Sequence, residues 1–140
     1  SKASLETLGE FSREIDHYAT PMAGENTEKL AAPEGGGAVS LSISKVFRID
    51  LSEGKAKLTL ENPLRSTQSV IFRLCVRNKI IMQSGIISPG YRIETGDLLN
   101  DVRLSKGEYD GKLIVFCIDS SGGGQANVRT EFGVRVVVEE

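Results

Sequence analysis

The few side chains that could act as nucleophiles or soft metal ligands are Cys75, Cys117 and His17. A Ser-His-Asp or Cys-His arrangement needs an imidazole within hydrogen-bond reach of the nucleophile. The single histidine lies near the N-terminus, far along the chain from both cysteines, and is interpreted as a solvated side chain. A zinc site built from the three would lack a fourth ligand and the short ligand spacing of zinc motifs. The sequence predicts neither a catalytic residue nor a metal site.

Carboxylates and a glycine run are the second set of residues that could do chemistry. Acidic residues are scattered over turns and strand ends, namely at Asp97, Asp101, Glu108, Asp110 and Asp119. Glycoside hydrolysis needs two carboxylates held in an enclosed cleft, and no local pattern indicates one. The glycine run at 122–124 lacks the Gly-Lys-Ser/Thr ending of a phosphate loop and enters a strand instead of a helix. We therefore expect no cofactor and no enzymatic activity.

Four arginines form the one candidate binding set: Arg73, Arg77, Arg129 and Arg135. The first two share the outward phase of one predicted strand, and the last two share that of another. If those strands are neighbours, the arginines form a basic patch for a protein partner. Two glutamates share the outward phase of the last strand, so a mixed, salt-bridged solvent face is the alternative.

Composition excludes several classes of partner. The net charge of -2 gives no general attraction to nucleic acid or to anionic membranes. Tryptophan is absent and aromatic residues make up 6% of the chain, so stacking platforms for sugars or bases are scarce. Tyr91 and Phe116 are the only candidates for such a platform.

No apolar run approaches the roughly 18 to 20 residues that cross a bilayer, and no stretch has the order of a signal peptide. The chain begins at Ser1, so a preceding export or anchor segment would have been removed. We expect contact with a membrane only through such an upstream anchor or signal.

Residues 1–37 differ in kind from the rest. Between Ser4 and Tyr18, apolar residues recur every three to four positions and predict a short helix. The Ala32–Gly37 stretch, rich in glycine and proline, is typical of a flexible linker. We interpret residues 1–37 as a stalk and residues 38–140 as one β-domain.

From Ala38 onward the apolar residues alternate with period two, which is typical of half-buried strands. Lys45 interrupts the first alternation and predicts a bulge or a break there. Seven short strands with turn signals between them indicate an all-β sandwich. The predicted strands are residues 39–51, 56–60, 69–77, 80–87, 98–104, 107–119 and 127–140.

Turn residues separate these strands. Asn62-Pro63 should end the second strand, since proline cannot donate to a ladder. Asn78-Lys79 predicts a tight hairpin turn, and Ser84-Gly85 interrupts the strand that follows. Pro89-Gly90 suits the central positions of a type II turn.

The two cysteines can be placed by parity. Cys75 has the phase opposite to Phe72 and Leu74, whereas Cys117 shares the phase of Tyr109 and Leu113. If both of those sets face the core, the sulfur atoms point to opposite sides of the sheet and cannot bond. Two reduced thiols are therefore predicted.

Four segments occur in this order: Gly-Gly-Gly-Ala-Val-Ser-Leu-Ser at 35–42, Asn62-Pro63, Gln-Ser-Gly-Ile-Ile-Ser-Pro-Gly-Tyr at 83–91, and Gly-Glu-Tyr-Asp-Gly-Lys at 107–112. Together they resemble a family of small, largely uncharacterised immunoglobulin-like β-sandwich domains in exported or membrane-anchored proteins of Gram-positive Firmicutes. The resemblance runs from about Gly35 to the end and implies an extracytoplasmic accessory domain, with Tyr109 as a core aromatic. It supplies no catalytic residue, and the two cysteines are not part of the family pattern.

These observations favour a non-enzymatic, adhesion-type module at the cell surface that presents a sandwich surface to an unidentified protein. The alternative is a carbohydrate- or cell-wall-binding module, because small sandwiches often serve that purpose. Hydrolase activity is the class that the sequence favours least. Strand order and oligomeric state do not follow from the sequence.

Overall fold

The computed structural model describes residues 14–23, 41–118 and 126–140, which form nine strands and no helix. No helix in these ranges is long and apolar enough to cross a membrane. The strands are β1 (Thr20–Pro21), β2 (Ser42–Ile43), β3 (Val46–Asp50), β4 (Lys55–Asn62), β5 (Ser69–Val76), β6 (Lys79–Gln83), β7 (Tyr91–Asp97), β8 (Gly107–Ile118) and β9 (Ala126–Glu139).

The strands form one curled, mixed sheet in the order β1-β7-β4-β3-β9-β8-β5-β6, with β2 paired to β4. The β3–β9 pair is parallel, and the other pairs are antiparallel. The prediction of an all-β domain is confirmed.

The core lies on the concave face of the curled sheet. The alternating residues of β3, β4, β5, β8 and β9 place their large apolar side chains there, among them Phe47, Leu60, Phe72, Leu113 and Val136. Removing apolar surface from water contributes about 25 cal/mol per Å², which makes this face the main source of stability. A second buried cluster lies on the other face of β5 and β8: Ile71, Cys75, Ile114, Phe116 and Ile118. Both faces of β8 are therefore buried over residues 113–118, whereas the outward residues of its first half are exposed.

One predicted strand was wrong in position. The edge strand expected near residues 98–104 is instead β7, at Tyr91–Asp97. Ile93 is its only fully buried large apolar side chain, so its alternation is weak, and backbone pairing with β4 defines it. Leu98, Val102 and Leu104 reach the core from a loop.

The β5–β6 turn is one residue earlier than predicted. Arg77 and Asn78 are its central residues, with φ of 54° and 62°, and Lys79 already belongs to β6. Positive φ at both central positions is the geometry of a type I′ turn, whose twist matches that of the strands.

The helix predicted for Ser4–Tyr18 does not extend into its last residues. Ile15 instead forms a parallel bridge with Ile86, and a turn follows in which the Ala19 N–H donates to the Asp16 carbonyl over 3.1 Å. Residues 4–13 and the linker at 24–40 lie outside the described residues. The division at residue 37 stays a prediction, but residues 14–23 are hydrogen-bonded to the sheet.

These residues, here called the N-terminal strap (residues 14–23), contact the chain just after β6 and then the edge strand β7. The Ile86 N–H donates to the Glu14 carbonyl at 2.9 Å, and the Gly85 N–H donates to Asp16 Oδ2 at 2.7 Å. Further along, Thr20–Pro21 pairs with β7 and covers its free edge, where proline is tolerated.

The strap is also held through Tyr18. Its hydroxyl donates to Asp97 Oδ1 at 2.7 Å, and Lys55 Nζ contacts the same carboxylate at 2.5 Å. The hydrogen bond from Lys55, followed by that from Tyr18, holds the pKa of Asp97 below its usual value. The stability that the contact contributes is therefore lost in acid, as the pH falls through the lowered pKa of Asp97.

Polar turn residues connect the strand ends as the sequence predicts. β4 ends at Asn62, whose Nδ2 donates to the carbonyls of Gln68 and Ile87 at 3.0 and 3.1 Å. Where β6 stops, Ser84 Oγ accepts the Phe72 N–H at 2.9 Å. Gly90 has φ of 89° in the turn after Pro89, as a type II turn requires.

Replacing Gly85 with alanine should loosen the strap. A Cβ there would lie 2.9 Å from Asp16 Cα and 3.0 Å from the Glu14 carbonyl oxygen, so backbone must move. We expect Gly85→Ala to lower the free energy of unfolding by about 1–3 kcal/mol and to speed amide exchange at Ile86.

Gly133→Ala is the matched control, because a Cβ at Gly133 meets nothing within 4 Å. Its free energy of unfolding should change little. Equal losses in the two variants would contradict the role assigned to the strap.

Candidate functional site

The four predicted arginines do not form one basic patch. β8 lies between β5 and β9, so the strands carrying the arginines are not neighbours. Arg73 is only 3% exposed. Its guanidinium lies 5.0 Å from the centre of the Phe116 ring, and its Nε donates to Gln83 Oε1 at 2.8 Å. Arg73 thus covers the outer apolar cluster and is not part of an open surface.

The arginines of β9 are held in ion pairs. Arg129 contacts Glu131 at 2.6 Å, and Arg135 contacts Glu108 at 2.7 Å. Lys112 also reaches Glu131, at 3.2 Å. The hydrogen bond from Arg129, followed by that from Lys112, lowers the pKa of Glu131. This part of the outer face has the mixed, salt-bridged character that was the alternative to a basic patch. A binding role for these arginines stays a prediction.

The most distinctive feature of the described surface is an open strand edge on β9. β3 hydrogen-bonds to β4 on one side and to β9 on the other, but its pairing with β9 begins at Arg135. Before that point the chain stays with β4, since the Ser44 N–H donates to the Thr59 carbonyl at 2.8 Å. Among the described residues, Ala126–Gly133 therefore pairs with β8 alone.

Strand alternation identifies the backbone groups at this edge. The Arg135 N–H donates to the Lys45 carbonyl at 2.9 Å and so faces the β3 side. Successive residues of a strand direct their N–H and C=O groups to opposite sides, which turns those of Gly133, Glu131 and Arg129 toward the same side. No described strand occupies that side, and unpaired edges of this kind template the addition of another strand.

An apolar groove runs along the open edge. Leu41 and Ile43 form one wall, while Phe132 and Val134 form the other, around a volume of about 620 Å³. Phe132 is 36% exposed although it has the inward phase of the buried valines. The exposed Lys45 lies at the rim. The groove can accept apolar side chains from one face of an added strand.

Sequence reasoning missed this edge and its glycine. The period-two pattern of the last strand gives Phe132 the same phase as the valines, and it does not show which part of that face stays uncovered. The available signal was Lys45: its interruption of the apolar alternation marks where the chain leaves β9, between β2 and β3.

The aromatic residues proposed for a sugar platform do not lie together in an open surface. Phe116 is 1% exposed and is covered by Arg73. Tyr91 is half-buried on β7, opposite Pro21. Phe116 therefore cannot offer a free ring face to a ligand.

Cys75 and Cys117 are both buried and free. Cys75 lies in the outer cluster and Cys117 in the concave core, so the parity prediction of two unbonded thiols is confirmed. Burial raises the pKa of each thiol. His17 is exposed in the strap and packs edge-on against Tyr18, with ring centres 5.0 Å apart.

Comparison with known proteins places the chain in no family: no protein-family model matches it, and no curated protein is significantly similar to it. The candidate site is therefore defined by its geometry alone.

Both thiols should react slowly in the native protein and fully in denaturant without reductant, which colorimetric thiol titration measures.

Folding raises the pKa of Cys117, so the un-ionised thiol contributes its full stabilisation of the fold at neutral pH. It is lost as pH rises through the range where a free thiol ionises and on to the folded pKa. Cys117→Ala should therefore show a smaller decline of unfolding free energy between neutral and alkaline pH than the unsubstituted protein. An unchanged decline would contradict this assignment.

Proposed function

We propose that this chain is a non-enzymatic, extracytoplasmic, adhesion-type module that binds a protein partner by accepting a strand at the open edge of β9. The observation that carries the proposal is the unpaired stretch Ala126–Gly133, bordered by an apolar groove. Strand addition uses main-chain hydrogen bonds for affinity and pockets for alternate side chains for specificity. The open edge provides the first and the groove provides the second.

An immunoglobulin-like sandwich is the architecture we infer for the module. Two halves of the sheet, β1-β7-β4 and β9-β8-β5-β6, are joined through β3 and enclose one apolar cluster. Two features support this assignment. The segment that holds β2 and β3 bonds first to β4 and then also to β9, and the β3–β9 pair is parallel. In such sandwiches the two inner faces supply a shared core.

The proposed location at the surface of a Gram-positive cell is supported by the resemblance to exported Firmicutes domains. A surface module has to hold its partner outside the cell without cofactors or energy input. Strand addition meets that need because it adds a row of hydrogen bonds to an existing sheet.

The side chains that a partner strand would present follow from the two faces of the edge. Residues that face inward would pack on Phe132, Leu41 and Ile43 and should be apolar. Residues that face outward would lie beside the Arg129–Glu131 pair and can be polar. An acidic residue near the rim would meet Lys45, which has no ion pair among the described residues. The expected partner segment is an extended strand with alternating apolar residues.

Gly133→Pro should weaken this binding while preserving the fold. It removes an N–H that faces the open side and is not needed by the β8 ladder, and its ring projects where an added strand would lie. We would select peptides from a displayed random library on the unsubstituted protein and measure their affinities by calorimetry. Selected peptides should alternate in hydrophobicity and bind Gly133→Pro at least about tenfold more weakly, consistent with the loss of main-chain hydrogen bonds.

Gly133→Ala is the matched control, because alanine keeps the N–H and its Cβ has open space. It should bind the same peptides as the unsubstituted protein does. Equal binding by Gly133→Pro would refute strand addition at this edge. Specific binding on a glycan or peptidoglycan array, with no peptide selected, would favour the carbohydrate-binding alternative instead.

A further inference from the structure

A second groove lies at the far edge of the sheet, away from β9. The β5–β6 turn forms one side, and the loop at residues 99–104 forms the other, enclosing about 610 Å³. The Leu99 N–H donates to the Ile81 carbonyl at 2.9 Å and holds the loop against the edge strand β6. The volume lies within the range of about 300–1,000 Å³ that is usual for ligand sites.

The floor of this groove is apolar, and its rim is basic. Leu99 is 39% exposed, with Val102 and Leu104 half-buried beside it. Three cations line the rim: Arg77, Lys79 and Arg103. Among the described residues none of the three forms an ion pair, whereas the arginines of β9 are neutralised by glutamates. One carboxylate, Asp101, lines the same groove.

Arg77 occupies a backbone position that arginine disfavours. Its φ of 54° lies in the left-handed region, which glycine and asparagine adopt more readily. This conformation places the guanidinium 4.9 Å from the centre of the Tyr109 ring. Tyr109 is itself held by its hydroxyl, which donates to the Ser105 carbonyl at 2.6 Å. The type I′ turn thereby holds a cation at the rim of the groove.

From the apolar floor and from three cations that form no ion pair with a described residue, we propose that this groove binds an acidic peptide segment of a partner protein in which carboxylates flank an apolar side chain. Carboxylates would pair with Arg77 and Arg103, and the apolar side chain would cover Leu99. The exposed apolar floor disfavours a phosphate group, which is strongly hydrated, and the three cations of the rim outnumber the one carboxylate, Asp101. This site is separate from the β9 edge, and the proposal does not depend on strand addition there.

The test uses an acetylated, amidated hexapeptide that alternates glutamate and leucine, titrated into the full chain labelled with ¹⁵N. We expect chemical-shift changes confined to residues 76–81 and 99–104, and weaker binding as salt is raised. A lysine–leucine peptide should not bind there. Arg77→Asn, which keeps a residue tolerant of positive φ, should weaken binding by about two- to fivefold, as should Arg103→Gln.

Arg48→Gln is the control, because Arg48 is an exposed arginine on β3 that pairs with Glu139 outside this groove. It should leave the affinity unchanged, and unaltered spectra elsewhere would show that the variants fold. The proposal is overturned if the acidic peptide causes no shifts at the groove, if the lysine peptide binds there equally, or if neither rim variant weakens binding. Gly133→Pro should leave this interaction intact, so failure here is distinguishable from failure at the β9 edge.

Discussion

The spacing of packed layers dictates where the sheet can be continuous. Hydrogen-bonded strands lie about 4.8 Å apart, whereas two packed faces need about 10 Å to hold their side chains. In the proposed sandwich the two halves of the sheet share the strand β3, which bonds to both β4 and β9. N-terminal to Lys45 the chain diverges from β9, and β2 pairs with β4 alone among the described strands. The open edge of β9 and its groove follow from this divergence.

The centre of the sheet explains why such an edge can be tolerated. β5 and the second half of β8 are buried on both faces, with the concave core on one side and the outer cluster on the other. The guanidinium of Arg73 lies over the Phe116 ring, so even the charged residue of β5 contributes to packing. β8 in turn pairs with β9 along nearly its whole length. The exposed half of β9 is therefore held in register by its neighbour and needs no second partner to stay extended.

The edges of the sheet are covered to different extents. Two residues of the strap pair with β7, and side chains of Asp16 and Tyr18, which precede that pair, hydrogen-bond to the sheet. On β6, a loop donates one hydrogen bond and leaves a groove with a basic rim. The edge of β9 has neither device in the described part of the chain. Covered edges protect a sheet from unwanted pairing, and an uncovered one permits pairing. The two proposed sites lie where coverage is partial or absent.

Local pattern by itself determined most strands of this protein, their inward faces and the unbonded thiols, because the two-residue period depends only on neighbouring positions. It also identified Asn62, Ser84 and Gly90 as turn residues, and Lys45 as a break. The position of β7 was missed because backbone pairing with β4, rather than an apolar pattern, defines it. The sequence likewise could not predict that Arg73 is buried while Arg77 lines a groove, because both are arginines near the end of the same predicted strand. Only the tertiary structure decided, for the described residues, which strands are neighbours, which edge stays open and which cations form no ion pair, since those depend on segments that are distant along the chain.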